Sequence, residues 1–162
     1  ITEVQWDGAH KTAGYSKDYQ SENGMYGMVE KGNAQAPWYE QANAAEEYLL
    51  EKQYKMYILT NGFLSTQQKK MAHSKLEKYF ERIYSSEELG VNKPRMEIFH
   101  WAVSAVHGKK SECLMIGDDL EVDIIGAKNY GIDTVWFNPG GLKTEHKPSY
   151  TIGNMRELRK FL

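Results

Sequence analysis

An α/β fold, a parallel sheet with helices on both faces, is the class that this chain predicts. Three observations carry it. Beyond about Pro37, short apolar runs of strand length alternate with segments of helical composition. One run, Cys113-Leu114-Met115-Ile116, is apolar throughout, as suits a strand buried on both faces. Two of the runs end on polar groups, Thr60-Asn61-Gly62 and Gly117-Asp118-Asp119. In a parallel sheet those ends lie along one edge, where such folds bind their ligands.

The elements follow in order. Residues 1–6 alternate apolar and polar like a half-buried strand, and residues 14–32, with Gly24, Gly27 and Gly32, read as loop. Residues 38–53 suit a helix whose Ala42, Ala45, Tyr48 and Leu49 share a face. Residues 54–59 form an apolar strand. Residues 65–80 read as a helix with Ser65 as its cap. Residues 82–85 suit a short strand, and Pro94 opens a helix through Val106 that Gly108 ends. After the strand at 113–116, residues 121–130 form a helix closed by Gly131. Strands at 134–137 and 150–152 and a helix at 155–162 complete the chain. The organisation is therefore an irregular N-terminal segment, 1–36, with one strand, and an α/β core, 37–162.

Bulk properties exclude several classes of function. The formal net charge of -2 over 162 residues leaves no broad basic surface for nucleic acid. No apolar stretch reaches the roughly 20 residues of a membrane-spanning helix, and no charged-then-apolar leader opens the sequence. The one cysteine, Cys113, lies inside an apolar run, reads as a small buried residue, and fits a reducing compartment. A cytoplasmic protein without membrane or nucleic-acid partners is expected.

The strand-end groups bring a hydroxyl, an amide and carboxylates to one edge, and Lys93, just before Pro94, can reach it from a loop. Carboxylates hold a hard divalent cation, while hydroxyl, N–H and ammonium groups hold phosphoryl oxygens. Each residue also has a plainer reading. Thr60-Asn61-Gly62 could be a turn, Lys93 an exposed lysine, Asp118-Asp119 a helix cap, and Asp123 a solvated carboxylate.

Taken together, Leu59-Thr60-Asn61-Gly62, Gly90-Val91-Asn92-Lys93-Pro94 and Met115-Ile116-Gly117-Asp118-Asp119 with Asp123 resemble the second, third and fourth motifs of the haloacid dehalogenase (HAD) superfamily. The match runs from about Trp38 to the C-terminus and is nearest to the bacterial pyrimidine-nucleotidase-like branch. The resemblance implies a Rossmann-like core and a Mg²⁺-dependent phosphatase of a small phosphorylated metabolite, a nucleoside monophosphate being favoured. It implies that the Thr60 hydroxyl, the Asn61 N–H and the Gly62 loop bind phosphate. Lys93 would neutralise the nucleophile and the phosphoryl group. Asp118 and Asp119 would hold the metal, and Asp123 would orient Lys93 or a metal-bound water.

The family's first motif, Asp-x-Asp after the first strand, has one counterpart here, Asp7-Gly8-Ala9. Asp7 stands where the nucleophile and a further metal ligand belong, or it is part of a simple turn. Ala9 stands where the family's acid/base aspartate belongs, and a methyl group moves no proton. Residues 8–37 are too short for the helical cap of the branch, so the cap is reduced or absent. Two functions remain open: the hydrolase, or an impaired, truncated or engineered core that binds Mg²⁺ and phosphate without turnover. Hydrolysis of a carbon–halogen bond needs no metal, and the acidic pair argues against it.

Overall fold

The computed structural model describes residues 2–4 and 36–162, with side chains from residue 44 onward. Asp7, Ala9 and the loop expected at 14–32 lie outside the described residues.

The described strands are β1 (Thr2–Val4), β2 (Tyr57–Thr60), β3 (Arg82–Ser85), β4 (Leu114–Gly117), β5 (Asp133–Phe137) and β6 (Tyr150–Ile152). Every pairing between them is parallel. Hydrogen bonds join β1-β4-β5-β6 into one sheet and β2-β3 into another, and β1 lies beside β2. The order across the molecule is thus β3-β2-β1-β4-β5-β6. The chain winds outward on both sides of β1, which makes the carboxyl end of β1 a topological switch point.

The helices are α1 (Ala36–Glu51), α2 (Leu64–Ser74), α3 (Ser86–Leu89), α4 (Met96–Ala105) and α5 (Gly126–Tyr130). Successive strand residues point to opposite faces, and the core divides accordingly. Ile58, Ile116, Val135 and Phe137 pack with Ala45 and Leu49 of α1, Met71 of α2 and the C-terminal Met155 and Leu158. Tyr57, Leu59 and Met115 pack with Ile98, Phe99, Ala102 and Val103 of α4 and Ala127 of α5. Helices on both faces of a parallel sheet are the expected Rossmann-like architecture. Among the described residues, no helix is long and apolar enough to cross a membrane.

Several local expectations need correction. The helix expected at 65–80 stops at Ser74, because Lys75 turns left-handed (φ 58) and Leu76 N–H donates back to Met71 O; a short 3-10 turn, Glu77–Tyr79, follows. Ser65 lies inside α2, whose N-cap is Phe63 with no side-chain bond. Pro94 does not open α4. The Lys93–Pro94 bond is cis, Arg95 N–H closes a turn onto Asn92 O, and the helix starts at Met96. The left-handed residue after α4 is His107 (φ 52), not Gly108. The last helix is a 3-10 segment, Met155–Lys160, held by a capping box between Asn154 and Glu157.

One core residue was not anticipated. Glu46 of α1 is fully buried, and among the described residues neither carboxylate oxygen has a hydrogen-bond partner. Burial raises its pKa well above the ordinary value; Lys78 opposes the shift and Glu47 adds to it. The folded chain therefore holds a proton here that the unfolded chain releases. Stability is greatest below the unfolded carboxyl's pKa and falls as pH rises through the window up to the folded pKa. A Glu46→Gln variant should remove that slope. Its melting temperature, compared with wild type from about pH 4 to about pH 8, should gain on wild type as pH rises. Parallel curves would mean that Glu46 ionises in the fold at its ordinary pKa.

Candidate active site

The site is built at the carboxyl ends of β2 and β4, on either side of β1. The register sets Val4 opposite Ile116 and Thr60 opposite Ser85, and β1 lies between β2 and β4, so the three strands end along one edge.

Thr60 is the last residue of β2 and is almost wholly buried. Its Oγ1 accepts a hydrogen bond from Gly62 N–H at 3.0 Å. That bond fixes the side-chain oxygen and leaves its own O–H available to donate. The neighbouring strand supports the same turn, since Ser85 Oγ donates to Gly62 O at 2.7 Å and accepts from Glu87 N–H at 3.2 Å.

Lys93 is buried, with a relative exposure of 3%. Its ammonium donates to Leu59 O at 2.6 Å and lies 2.9 Å from Asp123 Oδ1. The second contact is an ion pair between two buried groups. Asp123 is itself buried, its pKa raised by burial against the opposing pull of Lys93. These distances exclude the plainer readings of an exposed Lys93 and a solvated Asp123.

The segment after β4 is wound more widely than an α-helix. Residues Leu120–Ile125 form a π-helix that continues into α5, where a plain helix was expected over 121–130. In this wide turn Asp123 folds back beneath the strand end, and its Oδ2 accepts from Asp119 N–H at 3.3 Å. A Cβ on Gly117 would lie 2.5 Å from both Asp123 Cβ and Oδ2, so the return path requires glycine there. Gly126 plays the same part on the other side, because a Cβ there would come within 2.9 Å of Pro94 Cα. The Lys93 loop and the acidic turn can approach only across these two glycines.

Asp118 and Asp119 have different fates. Asp119 caps the π-helix, its Oδ1 accepting from Glu121 N–H at 3.1 Å and Val122 N–H at 2.9 Å. The Asp118 carboxyl is pushed up to about 7, first by burial and then by the charges of Asp123 and Asp119, against its own backbone N–H and Lys93. Its main chain is held by Trp136, whose Nε1–H donates to Asp118 O at 3.1 Å. Among the described residues, the charges of three carboxylates, Asp118, Asp119 and Asp123, are set against that of Lys93, and the excess of negative charge suits a hard divalent cation. Among the described residues, no group of three His, Cys, Asp or Glu side chains closes around a single ion position.

The model of the haloacid dehalogenase-like hydrolase family matches residues 10–137. The chain belongs to this family. It is 37% identical over 113 residues to the pyrimidine 5'-nucleotidase PynA of Streptococcus pneumoniae, across 68% of this chain and 48% of that protein. It is also 37% identical over 115 residues to the pyrimidine 5'-nucleotidase YjjG of Escherichia coli, across 67% of this chain and 49% of that protein. The chain spans about half the length of the curated relatives it matches. Among solved structures, the magnesium-bound HAD-hydrolase YfnB of Bacillus subtilis superposes with a TM-score of 0.70 at 26% identity, over 94% of this chain and 75% of that one. A HAD phosphatase from Thermococcus onnurineus superposes with a TM-score of 0.68 at 31% identity, over 72% of this chain and 54% of that one.

Within this HAD-like hydrolase core, the structure brings Thr60, Asn61, Gly62, Lys93, Asp118, Asp119 and Asp123 to one end of the sheet; Asp7 lies outside the described residues. Sequence reasoning missed two contributors. Ser85 ends β3 as Thr60 ends β2, and the rule of polar strand ends would have found it. Trp136 reads as packing, and it is buried; only the need of a buried indole N–H for an acceptor hints at its bond to Asp118.

Proposed function

We propose that this chain is a Mg²⁺-dependent phosphomonoester hydrolase that works through an aspartyl phosphate. Its substrate is a small organic phosphate, with a nucleoside monophosphate favoured. One observation carries the reading: a buried ammonium, Lys93, held between Asp123 and the carbonyl of Leu59, the residue before Thr60 at the end of β2. A buried cation fixed next to a strand-end hydroxyl is a receptor for a charged oxygen cluster. The favoured substrate rests on kinship with proteins named pyrimidine 5'-nucleotidases. Other relatives are named N-acylneuraminate-9-phosphatase and glyceraldehyde 3-phosphate phosphatase, which supports the broader class of small phosphorylated metabolites.

In this reading Thr60 donates its O–H to a phosphoryl oxygen, with the Asn61 N–H and the Gly62 turn beside it. Lys93 neutralises the nucleophile and the phosphoryl group, and Asp123 holds Lys93 in place. Asp7 attacks phosphorus as its carboxylate, the ester P–O bond breaks, and the departing alcohol oxygen takes its proton from solvent. Water then cleaves the acyl phosphate, releasing inorganic phosphate and restoring the Asp7 carboxylate. Asp118 would hold Mg²⁺ together with Asp7; Asp119, its Oδ1 already engaged, would support the ion less directly. When bound, Mg²⁺ would supply charge stabilisation to the phosphoryl oxygens. Residues 1–36 would carry the first motif and a reduced cap over the core of 37–162. A cytoplasmic location is supported by the lone, buried, free Cys113.

Ala9 favours a second reading, in which the same core binds Mg²⁺ and phosphate without turnover. Phosphate release from a panel of nucleoside monophosphates and sugar phosphates, with Mg²⁺ and then with EDTA, separates the two. Release that EDTA abolishes supports the hydrolase; none from any substrate, by a folded protein that binds Mg²⁺, supports the second. Under either reading Asp118→Ala should abolish measurable Mg²⁺ binding in calorimetry, and under the first it should abolish turnover as well. Mg²⁺ affinity equal to wild type would remove Asp118 from the metal site.

A further inference from the structure

We propose that the Asn61 side chain is a positioning residue for Lys93, holding the main chain of that lysine against the end of β2. This inference rests on the phosphatase reading for its consequence in catalysis, though not for its geometry.

Asn61 follows Thr60 and precedes Gly62, a place where asparagine commonly bonds its own backbone two residues on. Here Thr60 makes a local bond of that kind, its Oγ1 accepting from Gly62 N–H. The Asn61 amide reaches across to the lysine loop. Its Oδ1 accepts from Lys93 N–H at 2.8 Å, and its Nδ2 donates to Lys93 O at 3.0 Å. One planar amide thus pairs with both main-chain polar groups of a single residue, as a neighbouring strand would. Lys93 is in no strand, so no sheet ladder holds its backbone in place.

The other end of the lysine is tied to the same strand, because its ammonium donates to Leu59 O. Leu59 and Asn61 flank Thr60. A long, flexible side chain is thereby fixed at both ends to the residues on either side of the phosphate-binding hydroxyl. Freeing the backbone end would let the loop drift while the ion pair with Asp123 persists. The ammonium would still be present but out of register with the phosphoryl group, and misplacement on the scale of about 1 Å can cost roughly 100-fold in rate.

The test compares wild type, Asn61→Ala and Asn61→Asp in the full chain. Asn61 is exposed, so both variants should fold. Two quantities are read: hydrogen exchange at the Lys93 amide, and kcat and KM for p-nitrophenyl phosphate with Mg²⁺. In Asn61→Ala the Lys93 amide should lose its protection while amides of β2 and β4 keep theirs. Its kcat should fall roughly 10- to 100-fold with little change in KM. Asn61→Asp retains the oxygen that accepts from Lys93 N–H but sets a second acceptor against Lys93 O, so it should keep more of the protection and of kcat than Asn61→Ala and less than wild type. Unchanged exchange at Lys93 in Asn61→Ala overturns the proposal, as does unaltered kcat once that protection is gone. A wild type without turnover overturns the phosphatase reading alone, and the exchange data then decide the clamp.

Discussion

Replacing Ala9 by aspartate is expected to raise the hydrolysis of alkyl phosphates by roughly 100-fold or more, the usual contribution of a positioned general acid and base. When the P–O bond of an alkyl ester breaks, the departing oxygen must gain a proton. An aspartic acid two residues beyond Asp7 is what the family resemblance calls for, and the methyl group of Ala9 has no proton to give. The wild-type chain would have to draw that proton from solvent. Its activity should therefore depend steeply on the leaving group: p-nitrophenyl phosphate, whose anion is stable unprotonated, should be turned over far faster than a sugar phosphate or a nucleoside monophosphate. Ala9→Asp should narrow that gap by raising the poor substrates most. The measurement is kcat/KM over a series of esters of graded leaving-group acidity, in both proteins. A wild-type chain that is silent on every ester, beside an active Ala9→Asp, would establish the non-catalytic reading of the sequence as it stands. Equal rates for both proteins on alkyl esters would mean that the proton comes from another group.

The sequence and the structure agree where chemistry is local and part where it depends on distant contacts. Strands β3 and β6 fall where the residue pattern set them, because β-branched and aromatic residues bounded by turn residues leave little choice. The group Thr60, Lys93 and Asp118 was legible because each lies at the end of a strand or in the loop beyond one, and a parallel sheet sends all such ends to one edge. What the sequence could not yield was the set of partners. Nothing near Asn61 in the chain says that its amide bonds Lys93, 32 residues away. Nor does Asp119 advertise that its Oδ1 is taken by Glu121 and Val122 N–H groups, although a cap was one of its two readings. Helix ends were misplaced for a related reason. Lys75 and His107 take left-handed conformations that composition does not favour. At Lys75 the bond from Leu76 N–H to Met71 O replaces further helix. Fully buried Glu46 lies deepest beyond sequence reading, since on a helix a glutamate between alanine and a second glutamate looks solvated.

Lys93→Met should cost about 3–5 kcal/mol of folding stability, the typical loss when one member of a buried ion pair is removed. The pair is wholly withdrawn from solvent, with side-chain exposures of 0% for Lys93 and 1% for Asp123. Methionine fills much the same volume, so the loss would come from charge rather than from a cavity. Asp123 would be left as a buried carboxylate with Asp118 and Asp119 close by, and those neighbours already push its charge in the unfavourable direction or are pushed by it. Binding a proton would relieve part of that cost, which sets the lower end of the range. The double variant Lys93→Met/Asp123→Asn isolates the effect. Asparagine keeps an oxygen to accept from Asp119 N–H and removes the stranded charge, so the double variant should be more stable than Lys93→Met alone. Urea unfolding in EDTA, followed by circular dichroism, measures both. Phosphate release should vanish in both variants, because the ammonium is gone from each, and that separates the lysine's part in folding from its part in chemistry. A Lys93→Met chain that unfolds at the wild-type urea concentration would show that the pair adds nothing to stability. Lys93 would then be retained for its charge at the phosphate site alone.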